Sequence, residues 1–561
     1  MHLASNFIAT FSDSFSGDII LDTRIQSSAQ NNDPSTLPQH HQQQTGGHTP
    51  HDQPEISTVF PKPPSIPQTF ASAHSSYVDV STSFPETTID AHAPGWTVFS
   101  NLYMSNGTLY VVSSQPPSSF PDIRLITSTG LPAENTPENI AARMPTAQDL
   151  AFITPERALA RWGPVSTSTS SPSLTQNRVW SVQGNTFLFN DPSQFLDHYY
   201  HFCAELLLGA WAFWSGANNA KVDASSPSIS SAPPVHRAIF AHAEAEGWRD
   251  RPGMNAYFLR SAFPSLTVET QWDWEDRIIA TSSTGVHARA WHFDKVLFSD
   301  RSAAFRGEYC GLQVHRTAGE AYLSMFRDGK LAKLWWEPVR RAVLNFAGVP
   351  KDVQDIGIKV EADAKNKVKK PTLDDKRPFK STTSGTVGQD VVITYISRQG
   401  VRRHLIDQDH ENLVFALEEL CAIKGWELNI VQAERLSKED QLALVAKTTI
   451  LLGVHGNGLS HLIMMSPTPI STVIEIFYPR GFAHDYEWSS RALGMKHFAI
   501  QNDTYYTHPR LPWVDYPEGF QGTQIPVQAS LIIQIIQDRV AGRLPNTDFT
   551  AEIQRFNYDQ Q

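Results

Sequence analysis

A chain of 561 residues with 40% hydrophobic and 11% aromatic content can bury one large core or two ordinary ones, so two domains plus tails are expected. Its 46 Lys and Arg against 57 Asp and Glu leave a formal charge of -11, which offers no basic surface to a nucleic-acid backbone or an anionic membrane. No apolar run reaches the roughly 18 residues of a membrane span, and the first residues have no basic n-region of a signal peptide. Cys203, Cys310 and Cys421 form no CxxC pair, which excludes a zinc ribbon or a disulfide framework and leaves one long-range disulfide open.

Residues 1–90 read as a disordered tail or stem, because Gln26 to Gln68 is Gln, His, Ser, Thr and Pro with too few large hydrophobes to offset chain entropy. Its histidines (His40, His41, His48, His51) read as part of a solvated polar tract rather than as metal ligands. A first Rossmann-like domain is expected over 91–345. Its strand candidates are Phe187–Asn190, Ala238–Ala241 and Lys295–Phe298, its strongest helix is Ser193–Trp214, and Val165–Leu174 and Ser215–Pro234 read as surface loops. Residues 346–390 read as a linker with a flexible charged insertion over Glu361–Gly388. A second Rossmann-like domain over 391–525 alternates strands at Val391–Ser397, Glu427–Val431, Thr448–Val454 and Thr472–Phe477 with helices. Those helices are Glu411–Ile423, one opened by the capping box Ser437 to Asp440, and Gly458–Met465. Repeated strand-helix-strand units imply a parallel sheet covered on both faces. Two sequons, at Asn106 and Asn502, would be used only in a secretory compartment.

The stretch TTILLGVHGNGLSHLIMM runs an apolar strand into Gly453, Gly456 and Gly458 and then into a helix. Such a junction offers backbone N–H groups and the positive end of a helix dipole to a phosphate. The spacing GxxGxG reverses the dinucleotide fingerprint, and no Gly-Lys-Ser/Thr follows, so NAD enzymes and ATPases are disfavoured. Taken alone, the turn reads equally as tight packing. Two neighbours favour a ligand: His455 inside the turn, placed to donate to a phosphate oxygen, and Glu475 one strand later, placed to accept from ribose or sugar hydroxyls.

After the Val391 strand, SRQGVRRHLIDQDHENL puts Arg398, Arg402 and Arg403 on a loop at the same sheet edge as the glycine turn. Guanidinium groups bind phosphate oxygens bidentately and stay charged, so this loop suits a leaving diphosphate better than a solvated basic turn would. Asp407-Gln-Asp409 has the DxD form of metal-dependent glycosyltransferases, but it abuts a helix start and reads as capping. In the first domain, His198, His201 and Glu205 fall at i, i+3 and i+7 of the long helix. A partly buried His or Glu there can be tuned to take a proton from a hydroxyl. HxxHxxxE is no standard metal signature, and a helix-surface His–Glu pair is the plain alternative.

In this order, HYYHFCAELLLG, YISRQGVRRHLIDQDHENL, LLGVHGNGLSH and VIEIFYPRGF resemble the motif series of glycosyltransferase family 61, over about Val179 to Ala499. The resemblance implies an α/β fold of GT-B type, two Rossmann-like domains with parallel sheets facing a cleft, and the nucleotide sugar on the C-terminal one. It implies an inverting enzyme of the Golgi or ER lumen with no bound metal or other cofactor. Its donor would be a UDP-sugar (GlcNAc, xylose or arabinose class) and its acceptor a hydroxyl of a protein or glycan. Arg398 and Arg403 match the family's arginine loop, and Gly453, His455, Gly456 and Gly458 its HGAGL-type turn, with Asn457 where the family has a small residue. The base would be His201 or Glu205, and the helix Leu531–Val540, within 526–561, would pack back onto the first domain. The family's N-terminal membrane anchor is not readable here. A catalytically inactive glycan- or nucleotide-binding protein of the same fold is the rival reading, and a nucleotide-dependent oxidoreductase is a third.

Overall fold

A computed structural model describes residues 84–134, 136–166, 175–176, 178–218, 232–303, 310–357 and 391–544. The low-complexity tract from Gln26 to Gln68 and the Lys-rich insertion lie outside these residues.

The first sheet has eight strands: β1 (Thr88–Ala93), β2 (Trp96–Ser105), β3 (Thr108–Val112), β4 (Leu150–Ile153), β7 (Val179–Pro192), β8 (Arg237–His242), β9 (Thr267–Glu269) and β10 (Ala290–Ser299). The two-residue strands β5 (Val165–Ser166) and β6 (Thr175–Gln176) pair separately. The strand order is β4-β3-β2-β10-β7-β8-β9, with β1 on β2. Only β10, β7, β8 and β9 form the expected parallel run, whereas β2 joins β10, β3 and β1 antiparallel. The sheet is therefore mixed rather than parallel throughout. It also starts at Thr88, with Phe84 already buried, inside the stretch expected as tail.

The second sheet is the more regular. Strands β11 (Val392–Ile396), β12 (Glu427–Val431), β13 (Ile450–Val454), β14 (Thr472–Phe477) and β15 (Lys496–Gln501) are mutually parallel in the order β12-β11-β13-β14-β15, and β16 (Thr504–Tyr506) closes the edge antiparallel. Every residue of β11, β13 and β14 is buried, as central strands covered on both faces require. Helix Asp407–Lys424 ends at Gly425, whose φ of 66° only glycine adopts freely, and helix Lys438–Lys447 starts from Ser437, whose side chain accepts the Asp440 N–H. Numbered within the sheet, the order is 2-1-3-4-5. The winding direction thus reverses between β11 and β13, and the crevice outside their carboxyl ends is where such sheets bind ligands.

One hydrophobic cluster runs from Trp96, Phe187 and Phe240 of the first sheet through Tyr200–Asn218 to Leu451, Leu459, Leu462 and Trp488 of the second half. Helix Glu337–Phe346, expected as the end of the first domain, ties into the second: Trp336 Nε1 donates to Ile463 O at 2.8 Å and Arg340 Nε to Met464 O at 2.9 Å. The last helix, Ala529–Val540, differs from expectation. Its buried Ile532, Ile535 and Ile536 pack with Leu413 and Leu417 over the second sheet, not onto the first. Among the described residues no helix is long and apolar enough to cross a membrane. Cys203 and Cys421 are free and buried.

Candidate active site

The arginine loop leaves β11 and the glycine turn leaves β13, so both stand at the reversal point of the second sheet. They touch. Gly456, at φ 152°, lies so close to Arg398 that a Cβ there would sit 2.1 Å from its Nη1. A Cβ on Gly458 would meet Ile396 Cγ2 at 3.0 Å, and one on Gly453 would meet Ile396 O at 3.2 Å. The glycines thus admit a guanidinium and a neighbouring strand rather than merely sparing the turn a side chain. The expected helix after the turn is a 3-10 helix, Asn457–Met464.

Arg398 Nε donates to Arg403 O at 3.2 Å, which holds the loop closed on itself. Arg403 Nε and Nη1 are buried with no hydrogen-bond partner. Burial and the adjacent Arg398 guanidinium pull Arg403 down to about 10, and burial likewise lowers Arg398. Two desolvated cations side by side repel each other, and neither makes an ion pair with a described residue. A buried unpaired charge is costly unless something anionic completes it. Asp485, which opens helix Asp485–Ala492, lies close enough to act on Arg403 electrostatically, as do Tyr486 and Tyr516.

Glu475 departs from the role expected of it. It is fully buried on β14 and both carboxylate oxygens are taken, Oε1 by His455 Nδ1 at 2.5 Å and Oε2 by His497 Nε2 at 2.7 Å. It cannot reach a sugar hydroxyl; it holds the His455 ring instead. Burial, with Asp485 and Glu487 near, pushes the Glu475 carboxyl well above its usual range, and burial holds His497 down at about 4. The His455 ring lies on Phe477 at 5.1 Å between centroids, with Tyr486 and Phe520 at its other sides, and its Nε2 is 3.9 Å from Asp485 Oδ2.

The helix expected from Ser193 to Trp214 is broken into three pieces: a 3-10 turn Ser193–Phe195, a π-helix Tyr200–Leu207 and an α-helix Leu208–Asn218. π-Segments concentrate at functional sites. This one meets the glycine turn directly. Asn457 Oδ1 accepts the Tyr200 N–H at 3.1 Å and the Ser460 hydroxyl at 3.1 Å, and Tyr200 Oη donates to Asp485 O at 2.8 Å. The residue at the position where a small one was expected is therefore one of the bridges between the two halves.

Within the stripe, His201 Nδ1 is 3.1 Å from Glu205 Oε2, while Glu205 Oε1 accepts from Arg301 Nη1 at 2.5 Å. Arg301 is fully buried and also donates to Asp191 Oδ1 at 2.8 Å and to His201 O at 2.8 Å. Glu205 is thereby committed to holding Arg301 and His201, which removes it as a mobile proton acceptor. The His198 ring is 5.1 Å from that of His201, with its Nδ1 unpartnered. Burial, with His201 and Arg403 nearby, keeps it neutral down to about 3. His198 is the stripe residue within electrostatic reach of both Arg403 and Asp485.

Asp407 and Asp409 both lie in the first turn of helix Asp407–Lys424, as the capping reading allowed, although the N-cap itself is Ile406. Asp409 Oδ2 accepts the Val527 N–H at 3.0 Å and Asp407 Oδ1 accepts from Gln399 Nε2 at 3.2 Å, so both fasten loops. Sequence reasoning missed Asp485, Tyr486, Tyr516, His497, Arg301 and Asp191. Only Arg301 and Asp191 had a readable signal, as charged residues at or just past the C-terminal ends of the parallel strands β10 and β7.

Residues 337–474 match the family model described as Glycosyltransferase 61, which supports glycosyl transfer in general terms. The match contains Arg398, Arg403 and the whole glycine turn, stops one residue before Glu475, and does not extend to His201 or Glu205. A 77-residue stretch is 36% identical to the EGF domain-specific O-linked N-acetylglucosamine transferase of Drosophila melanogaster, covering 14% of this chain and 14% of that protein.

Proposed function

We propose that this chain is an inverting glycosyltransferase of GT-B type. It would transfer a sugar of the GlcNAc, xylose or arabinose class from a UDP-sugar to a hydroxyl of a protein or glycan acceptor in the Golgi or ER lumen. The observation that carries the reading is Arg403, a half-buried residue whose Nε and Nη1 are buried without a partner, set beside Arg398 at the glycine turn. An arriving diphosphate supplies the missing anion, and stabilisation of the departing UDP charge is the electrostatic contribution that usually dominates such catalysis. Arg398, Arg403 and the backbone of Gly453, Gly456, Asn457 and Gly458 hold the diphosphate, and two fixed guanidiniums do there what a divalent metal does elsewhere. A histidine of the π-helix removes the acceptor proton. His201 is the base, kept in place by Glu205 and Arg301, with His198 beside it and within electrostatic reach of Arg403. The hydroxyl oxygen attacks the anomeric carbon as the bond to UDP breaks, and configuration inverts.

The test is a panel of UDP-sugars scored for UDP release, with UDP affinity measured by calorimetry on the full chain and on Arg403→Ala. The reading requires turnover of at least one donor, and loss of UDP affinity in the variant. UDP binding without turnover of any donor would favour the inactive binding protein, and equal affinity in both chains would remove Arg403 from the site.

A further inference from the structure

His455, Glu475 and His497 stand in a row across three neighbouring strands: at the end of β13, within β14 and within β15. The contacts are short, 2.5 Å from His455 Nδ1 to Glu475 Oε1 and 2.7 Å from Glu475 Oε2 to His497 Nε2, and the central carboxylate has no solvent exposure. His497 Nδ1 is buried and has no partner. A proton there would be an unsatisfied buried donor, so the proton of the neutral ring belongs on Nε2, where it is donated to Glu475. With one oxygen held by His497, the carboxylate is fixed in rotation, and its second oxygen fixes the edge of His455 that it meets. The opposite edge, Nε2, is then turned toward Asp485, which in turn lies within electrostatic reach of Arg403. Phe477, Tyr486 and Phe520 wall the ring without a hydrogen bond to either nitrogen, so this hydrogen-bond chain is what distinguishes the two flips of the ring about its Cβ–Cγ bond.

We infer that His497 is a positioning residue of the anion site: through Glu475 it sets the His455 ring so that Nε2 faces the diphosphate position. The inference rests on the proposed donor site but concerns a residue beyond the segment that matches the family model. Outer-shell partners of this kind act on a ligand they never touch. The charged groups around His497 are Glu475 on β14, Glu487, His484 and Arg491 on or beside helix Asp485–Ala492, and its neighbour Lys496.

The experiment compares His497→Gln, whose Nε2 can still donate to Glu475, with His497→Phe, which fills the space and cannot. Two readouts are taken on the full chain: inorganic pyrophosphate affinity by calorimetry, and the imidazole 15N signals of His455, assigned by their loss in His455→Gln. His497→Phe is expected to weaken pyrophosphate about tenfold and to shift the His455 signals, and His497→Gln to restore both to within about twofold. Unchanged His455 signals in His497→Phe would overturn the inference whether or not pyrophosphate binds. Equal losses in both variants, tracking a common fall in Tm, would reduce His497 to a packing residue. Failure of the unmutated chain to bind pyrophosphate would sink the donor-site reading while leaving the His455 signals to decide this one.

Discussion

Two arginines of the molecule, Arg301 fully buried and Arg403 half-buried, have opposite surroundings. Arg301 is enclosed by Asp191 and Glu205, whose side chains are as buried as its own, and by two backbone carbonyls. Arg403 has a second arginine for a neighbour and two buried nitrogens with nothing to bond. The first is a finished piece of architecture, the second an unfinished one. A buried charge whose partners are present is costly to break, whereas one whose partner is missing points to what the fold was built to hold.

The largest expected effect breaks the finished site. Arg301→Met leaves two carboxylates buried without a cation and should cost about 3–5 kcal/mol in urea or thermal unfolding. Arg403→Ala should show the reverse pattern, with unfolding nearly unchanged and affinity for UDP or pyrophosphate lower by about 1.5–3 kcal/mol, the range for hydrogen bonds to charged groups. A large stability loss in Arg403→Ala would erase the distinction between the two.

His461 sharpens the comparison from a third side, being buried, fully partnered and uncharged. Its Nδ1 is 3.4 Å from Tyr199 Oη and its Nε2 is 2.8 Å from Gln441 Oε1. Burial holds it down at about 4 against an ordinary 6.5, so the unfolded chain takes up a proton that the folded chain refuses. Its contribution is present above pH 6.5 and is lost as pH falls from there toward 4, at about 1.4 kcal/mol for each pH unit. The unfolding free energy of His461→Gln should therefore fall less steeply with acid than that of the unmutated chain over this window; parallel slopes would show that other groups govern it. The smallest effect is expected at the DxD sequence. Asp409→Asn, which still offers an oxygen to the Val527 N–H, and addition of EDTA should each leave pyrophosphate affinity within about twofold, because the proposed clamp uses guanidiniums. A strong EDTA effect would return a metal to the site.

Four strands of the second sheet were legible to within two residues, while β15 and β16 were not expected. Thr472–Phe477 stands where expected because a strand buried on both faces leaves an apolar run bounded by polar ends, whereas Glu427–Val431, a partly exposed edge strand, was marked by its Leu, Ile and Val. The arginine loop and glycine turn were legible for the same reason, since each follows such a strand. The depth of Glu475 was not, although a carboxylate between Ile474 and Ile476 in a fully buried strand was itself a sign of burial. Arg301 and Asp191 lie 110 residues apart, and nothing local announces a pair at that distance. The break from α- to π-helix at Tyr200 escaped because the segment is buried on every side, His201 and Glu205 included, so its periodicity carries little phase. The antiparallel half of the first sheet escaped because β1 to β3 fall in a stretch where no strand had been expected.

The stretch that joins the halves has a practical consequence for anyone who cuts this chain. A fragment beginning at Val391, the apparent start of a self-contained unit, would leave Trp336 and Arg340 behind. It would strip the carbonyls of Ile463 and Met464 of their donors and bare Leu459, Leu462 and Ile463 to water. Such a fragment carries every residue of the proposed diphosphate clamp, yet is set to aggregate. The soluble minimum has to reach back beyond Trp335 and bring the π-helix with it, as one inseparable piece of cloth.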